Sequence, residues 1–159
     1  MIKNKMKLAL AGLGLSLLAT SASAATATNS FNVTATVIAG CNISSTANDL
    51  AFGNYDPSAA ADKTGSTSFG MRCTKGVNYS ISIEGAQAMT GGSGSEVLNY
   101  VLKNQADGSL WGDVASGNAV AGASTTSAES TYTIDGVISA NQDVGVGAYS
   151  QVNTITITY

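Results

Sequence analysis

The side chains that most often carry out chemistry are scarce in this sequence. Its 159 residues contain no His, two Cys and ten Asp or Glu. Without His there is no Ser-His-Asp or Cys-His pair, and the commonest general base and metal ligand is missing. Two Cys cannot build a four-thiolate zinc site, and the carboxylates lack calcium-loop spacing. We expect no cofactor, no metal and no enzymatic activity, although scattered carboxylates leave a two-carboxylate glycosidase as an alternative.

The charge balance excludes two classes of partner. Only 11% of the residues are charged, and the formal net charge is −3. An acidic, weakly charged chain is a poor match for nucleic acid or for an anionic membrane surface. We therefore expect protein partners and no nucleic acid.

The single tryptophan, Trp111, is the best candidate for binding a sugar. It lies in the sequence Leu110-Trp111-Gly112-Asp113. An exposed indole could stack on a sugar ring, but a large aromatic side chain also fills the end of a core. The core position is favoured, and a small carbohydrate-binding domain remains an alternative. Tyr100 and Tyr132 alternate in phase with aliphatic residues, so we expect them in the core as well.

Residues 1–24 have the three parts of a secretory signal peptide. Three lysines precede an apolar stretch at 8–18, which is too short to span a bilayer, and Ala22-Ser23-Ala24 forms an A-x-A cleavage site. An amphipathic N-terminal helix is the alternative. We predict that residues 1–24 are removed on export and that no membrane anchor remains.

Cys41 and Cys73 are the two cysteines of the chain. Export would place them in an oxidising compartment, where a Cys41–Cys73 disulfide is the simplest pairing. Pairing between two chains is the alternative. Redox catalysis is not favoured, because no C-x-x-C pair is present.

The elements that must position these residues are strands, because the hydrophobic period of the remaining chain is two. Gly, Asn and Asp-rich turns separate the alternating runs. Residues 115–130 are rich in Ser, Ala, Gly and Thr and are predicted to form a long flexible loop. Strands are predicted at 41–52, 66–74, 77–84, 97–102, 131–138 and 152–159. This pattern indicates an all-β sandwich.

The predicted sandwich has one strand too few and one strand to spare. An immunoglobulin-type sandwich needs seven strands, whereas six are predicted from Cys41 onward. A missing strand would leave an apolar groove beside the terminal strand, where Ile155, Ile157 and Tyr159 share a face. Before Cys41, a further alternating strand carries four apolar residues on one face: Phe31, Val33, Ala35 and Val37. It could complete its own fold or that of a neighbour, as in donor-strand complementation.

An ordered series of motifs runs along most of the chain. The motifs are Leu50-Ala51-Phe52-Gly53-Asn54-Tyr55-Asp56, Met71-Arg72-Cys73-Thr74, Leu98-Asn99-Tyr100-Val101-Leu102, Leu110-Trp111-Gly112-Asp113 and Tyr132-Thr133-Ile134-Asp135-Gly136. With this series, residues 41–159 resemble the spore coat protein U domain family, found in subunits of archaic (Csu-type) chaperone–usher pili.

This resemblance implies an incomplete immunoglobulin-like β-sandwich of about six strands plus an N-terminal donor strand. It implies a structural pilus subunit that a periplasmic chaperone passes to an outer-membrane usher. Donor-strand exchange would then join it to copies of itself and to other pilus subunits at the cell surface, serving adhesion and biofilm formation. The family disulfide maps onto Cys41 and Cys73, and the family donor strand maps onto residues 31–37.

The expected organisation is a signal peptide (1–24), a donor-strand segment (25–40) and a pilin domain (41–159). A single domain favours a shaft or minor subunit over a two-domain tip adhesin. The Ser- and Ala-rich loop between Trp111 and Tyr132 departs from the family pattern. A secreted coat or matrix protein that closes its own sheet is the main alternative.

Overall fold

The computed structural model describes residues 24–93 and 96–159, which lie in two units that divide after Ala35. Residues 24–35 have no regular secondary structure. The predicted signal peptide, apart from Ala24, lies outside the described residues. The strands are β1 (Cys41–Ser45), β2 (Lys63–Cys73), β3 (Asn78–Glu84), β4 (Ala88–Gly91), β5 (Glu96–Asn99), β6 (Val101–Asn104), β7 (Val120–Ala123), β8 (Ser130–Ile138), β9 (Tyr149–Ser150) and β10 (Thr154–Thr158).

The larger sheet has the order β1-β2-β8-β6, and every pair in it is antiparallel. Its centre is the long β2–β8 pair, which runs from Lys63 opposite Ile138 to Met71 opposite Ser130. Alternation along β2 turns Phe69 and Met71 into the core, where both are buried. The disulfide between Cys41 and Cys73 joins the end of this sheet where β1 begins and β2 ends.

Two smaller antiparallel sheets complete the unit. One has the order β10-β3-β7, and the other has the order β5-β4-β9. β3 contributes two residues to the core, Ile81 and Ile83, which are both buried. The buried apolar residues form one cluster: Phe69, Met71, Cys73, Ile81, Ile83, Leu98, Tyr100, Leu102, Trp111, Ile134 and Ile138.

Trp111 fills the centre of this cluster. Its side chain has no exposed surface, and its Nε1–H donates to the carbonyl oxygen of Ile81 at 3.0 Å. Its ring centroid lies 6.1 Å from that of Phe69 and 6.1 Å from that of Tyr132. The predicted core position of Trp111 is confirmed, and an indole without exposed surface cannot stack on a sugar.

The predicted all-β class and the Cys41–Cys73 disulfide are confirmed. Each of the six predicted strand regions contains a strand, and the predicted 97–102 strand is two strands, β5 and β6, separated at Tyr100. Within residues 24–93 and 96–159, no helix is long and apolar enough to cross a membrane.

One predicted strand is too long, and three strands, β4, β7 and β9, lie where none was predicted. The predicted strand 41–52 ends at Ser45, so Leu50 and Phe52 lie in irregular chain. The predicted loop 115–130 contains β7, which pairs with the first half of β3. β7 consists of small residues with a weak alternating pattern, so its strand conformation comes from this pairing and not from local propensity.

Candidate functional site

The candidate site is built along β10, one of the two edge strands of its sheet. β10 pairs with β3 on one side, from Thr154 opposite Glu84 to Thr158 opposite Ser80. Its other edge pairs with none of the strands in the described part of the chain. Alternate residues of an edge strand direct their N–H and C=O groups outward, where they are available to another strand.

The face of β10 that looks into the sandwich is apolar. Ile155 lies opposite Ile83 and Ile157 lies opposite Ile81, and both β10 isoleucines are half-buried against the core. The three threonines that alternate with them are exposed. Tyr159 follows the end of β10, and 61% of its surface is exposed. The apolar side of this edge therefore consists of Ile155 and Ile157, with Tyr159 more exposed at its end.

The chain that follows β1 forms the opposite wall of the site. It crosses the inner face of the larger sheet without forming a strand, and the Thr67 hydroxyl donates to the Asn48 carbonyl at 2.7 Å. Leu50 and Phe52 lie over Gly65 and Gly136, which are direct partners in the β2–β8 pair. A Cβ at Gly136 would lie 2.7 Å from Phe52 Cζ, so a larger residue at this position would require the Phe52 side chain to shift.

Two adjoining cavities, which we call the groove, lie beside the chain that follows β1, and the smaller of them lies between this chain and β10. The smaller, of about 400 Å³, is lined by Ile155 and Val152 on one side and Leu50 on the other, above Ile83 and Ile134. The larger, of about 800 Å³, extends past the start of β10 between residues 50–57 and 144–149. The two cavities share four lining residues: Leu50, Phe52, Met89 and Tyr149.

Two polar side chains of the smaller cavity, Tyr100 and Asn153, are paired with each other. The Tyr100 hydroxyl hydrogen-bonds the Asn153 side chain and lies 3.1 Å from the Ala86 carbonyl oxygen. Burial raises the pKa of Tyr100, and the hydrogen bond between its hydroxyl and the Asn153 side chain opposes that shift. A neutral, hydrogen-bonded tyrosine suits an apolar groove, because an entering apolar side chain then has no tyrosinate charge to desolvate.

The predicted donor segment, considered on its own, exposes its apolar face. Phe31 is 83% exposed and Val33 is 84% exposed, and no residue from 24 to 40 is in a strand. Val37, in the second unit, is 82% exposed, and Ala35 is exposed as well. Phe31, Val33 and Val37 are large apolar side chains that the subunit leaves exposed. A strand that is to enter an apolar groove needs such exposed apolar side chains.

The residues predicted from the sequence to line the groove were Ile155, Ile157 and Tyr159. Ile155 lines the smaller cavity, whereas Ile157 and Tyr159 line neither of the two cavities. Leu50 and Phe52 were expected in a strand, and the walls formed by Met89 and Tyr149 were not expected at all. Gly65 and Gly136 are the sequence signal for the wall formed by Leu50 and Phe52, since glycine inside a strand often marks a place where another part of the chain approaches closely.

The family profile described as Spore Coat Protein U domain matches residues 27–158. This match spans most of the chain, and the chain therefore belongs to the Spore Coat Protein U domain family. The resemblance that the ordered motifs indicated is confirmed.

A similar fold occurs in a solved structure. It is the crystal structure of the CsuC–CsuE chaperone–tip adhesion subunit pre-assembly complex from archaic chaperone–usher Csu pili of Acinetobacter baumannii. The TM-score is 0.57 at 20% sequence identity, and the match covers 78% of this chain and 41% of that chain. At this identity the similarity establishes a shared fold, and this chain spans about two fifths of the matched one. A search of curated proteins found no match.

Proposed function

We propose that the chain is a structural subunit of a surface pilus that is polymerised by donor-strand exchange. The observation that carries this proposal is the open edge of β10 beside an apolar groove. The incoming strand would be residues 31–37 of another copy, or the corresponding segment of another pilus subunit. Membership of the Spore Coat Protein U domain family and the fold shared with a chaperone–pilus subunit complex support this proposal.

The energetics of strand insertion are favourable. Burying the side chains of Phe31, Val33 and Val37 contributes about 5–9 kcal/mol before entropy is counted. Each backbone hydrogen bond made along β10 adds about 1 kcal/mol net. The seven residues from Phe31 to Val37 span about 23 Å when extended, which is longer than the five residues of β10.

The chain just before β1 supports exchange between copies. The Thr74 N–H donates to the Gly40 carbonyl at 2.8 Å, and the Thr74 hydroxyl donates to the Ile38 carbonyl at 3.1 Å. These bonds continue the β1–β2 pairing past Cys41, so residues 38–40 follow the direction of β1. A segment that leads away in this direction suits delivery of its apolar face to a neighbour.

The same proposal includes the partners and the location. A free subunit with an exposed groove is prone to aggregate, so a periplasmic chaperone would cover the groove until an outer-membrane usher assembles the fibre. Residues 1–24 would direct export to the periplasm. The assembled pilus would serve adhesion and biofilm formation at the cell surface. The burial of Trp111 removes the observation that favoured a carbohydrate-binding domain.

The test is complementation in trans. A chain lacking residues 25–38 is refolded with a synthetic peptide of residues 29–39, and its melting temperature is measured. We expect the peptide to raise the melting temperature, and a scrambled peptide of the same composition to leave it unchanged. An unchanged melting temperature with the peptide would contradict the proposal that the groove accepts a donor strand. In cells, the same deletion is expected to reach the periplasm but to form no fibres, and normal fibres would contradict the donor role.

A further inference from the structure

One wall of the larger cavity is a segment that is irregular along most of its length. We call residues 143–150 the strap. It follows β8, passes along the cavity from Val144 to Tyr149 and ends in the two-residue strand β9. Val144 and Tyr149 are partly buried against the core, whereas Val146 is 91% exposed.

The strap is held by one carboxylate from outside it. Glu96, the first residue of β5, accepts a hydrogen bond from the Gly145 N–H and another from the Tyr149 hydroxyl at 2.8 Å. The Tyr149 hydroxyl also lies 2.8 Å from the Gly145 carbonyl oxygen. A hydroxyl has one proton, and a carboxylate is the stronger acceptor, so the proton points to Glu96. Glu96 thus bonds to both ends of the strap's central loop.

Close backbone packing fixes the strap at the same place. The Gly92 N–H donates to the Ala148 carbonyl at 3.2 Å. A Cβ at Gly91 would lie 1.9 Å from that same carbonyl oxygen, and a Cβ at Gly145 would lie 2.7 Å from the Glu96 carboxylate. Glycine at these positions lets the strap approach the β4–β5 hairpin and the Glu96 side chain closely.

The strap must resist collapse while the groove is empty. The free energy of the protein falls when neighbouring chain moves in and covers the apolar surface around an empty cavity. The strap pairs as a strand only at Tyr149 and Ser150, so residues 143–148 have no strand pairing that would oppose an inward movement. Hydrogen bonds to an ionised carboxylate are about twice as strong as neutral ones, so Glu96 opposes this movement. In agreement, hydrogen bonds from Tyr149 and Gly145 lower the pKa of Glu96.

We propose that Glu96 is a positioning residue that holds the strap away from the larger cavity and keeps this end of the groove open for an incoming strand. This inference rests on the proposed function for its role in assembly. The contacts that define it lie within the subunit itself. Its failure can therefore be distinguished from failure of the groove.

The experiment uses the full chain and a labelled peptide of residues 29–39, with the association rate measured by stopped-flow fluorescence. We expect Glu96→Ala to slow association about tenfold, the change that about 1.4 kcal/mol produces. Glu96→Gln should restore part of the rate, because its amide oxygen still accepts hydrogen bonds. Asp143→Asn is the matched control, since it removes a carboxylate from the strap itself, and it should associate like the wild type. An unchanged rate in Glu96→Ala overturns the proposal.

Hydrogen exchange tests the strap without the peptide. We expect the amides of residues 144–149 to exchange faster in Glu96→Ala, whereas those of β2 and β8 stay protected. Equal strap exchange in the wild type and Glu96→Ala overturns the positioning role even if the peptide binds. If the wild type does not bind the peptide, the proposed function fails, and the exchange measurement still decides whether Glu96 holds the strap.

Discussion

Val33→Asp is expected to separate assembly from folding. Val33 is 84% exposed, so an aspartate at this position would be solvated in the free subunit. A donor strand inserted into the groove would bury the same side chain beside apolar residues. The substitution should therefore leave the stability of the subunit unchanged and prevent its insertion into a neighbour.

The expected loss is large because two effects add. The buried valine contributes about 1.5–3 kcal/mol to the inserted state, and this is lost. Moving an unpaired carboxylate out of water costs several kcal/mol more, even after local relaxation. A combined loss above about 4 kcal/mol corresponds to more than a thousandfold weaker insertion.

Two measurements check this prediction. Fibres sheared from cells are counted by negative-stain microscopy and quantified by immunoblot, and the purified subunit is melted to obtain its thermal stability. Thr34→Asp is the control, because it adds the same charge one residue along, on the face of the strand that would point to solvent. We expect fibres from Thr34→Asp, no fibres from Val33→Asp, and similar melting temperatures for both subunits.

Two outcomes would refute the reasoning. Normal fibres from Val33→Asp would show that this face of the segment is not buried on assembly. A melting temperature lowered by Val33→Asp in the isolated monomer, but not by Thr34→Asp, would show that the segment closes its own sheet. The second outcome would favour a self-contained coat or matrix protein.

Three further predictions concern the subunit itself. Replacing both Cys41 and Cys73 by Ser should lower the free energy of unfolding by about 2–5 kcal/mol, measured by denaturant titration, and a smaller loss than that of a typical surface substitution would contradict a structural disulfide. Trp111→Phe should lower it by about 3 kcal/mol, since it opens a cavity and leaves a buried carbonyl without its donor, and a stability equal to wild type would be inconsistent with that burial. Glu96 has a pKa below its ordinary value of 4.5, because Tyr149 and a backbone N–H donate hydrogen bonds to its ionised form. Its contribution to stability should be complete above about pH 4.5 and should be lost as the pH falls through the lowered pKa. Glu96→Gln should remove this part of the pH dependence of stability.

The strands that could be predicted from the sequence are those with a clean alternation of apolar and polar residues. β2, β3, β8 and β10 are of this kind, because one face of each is buried and the period of two is then strongly selected. β7 was missed, since it consists of small residues whose pairing with β3 supplies what local propensity does not. The strand expected at Leu50 and Phe52 was wrong: these residues alternate because they fill a slot over Gly65 and Gly136.

Composition and periodicity alone determined the all-β class, the pairing available to two cysteines, and the presence of an alternating segment before Cys41. These are local or countable properties, and no partner is needed to read them. Only the tertiary structure decided that residues 46–57 and the strap form walls of the groove, and that Glu96 accepts a hydrogen bond from Tyr149. Those features depend on contacts between residues far apart in the chain, and the free energy of such contacts is set by packing and register and not by any single stretch of sequence.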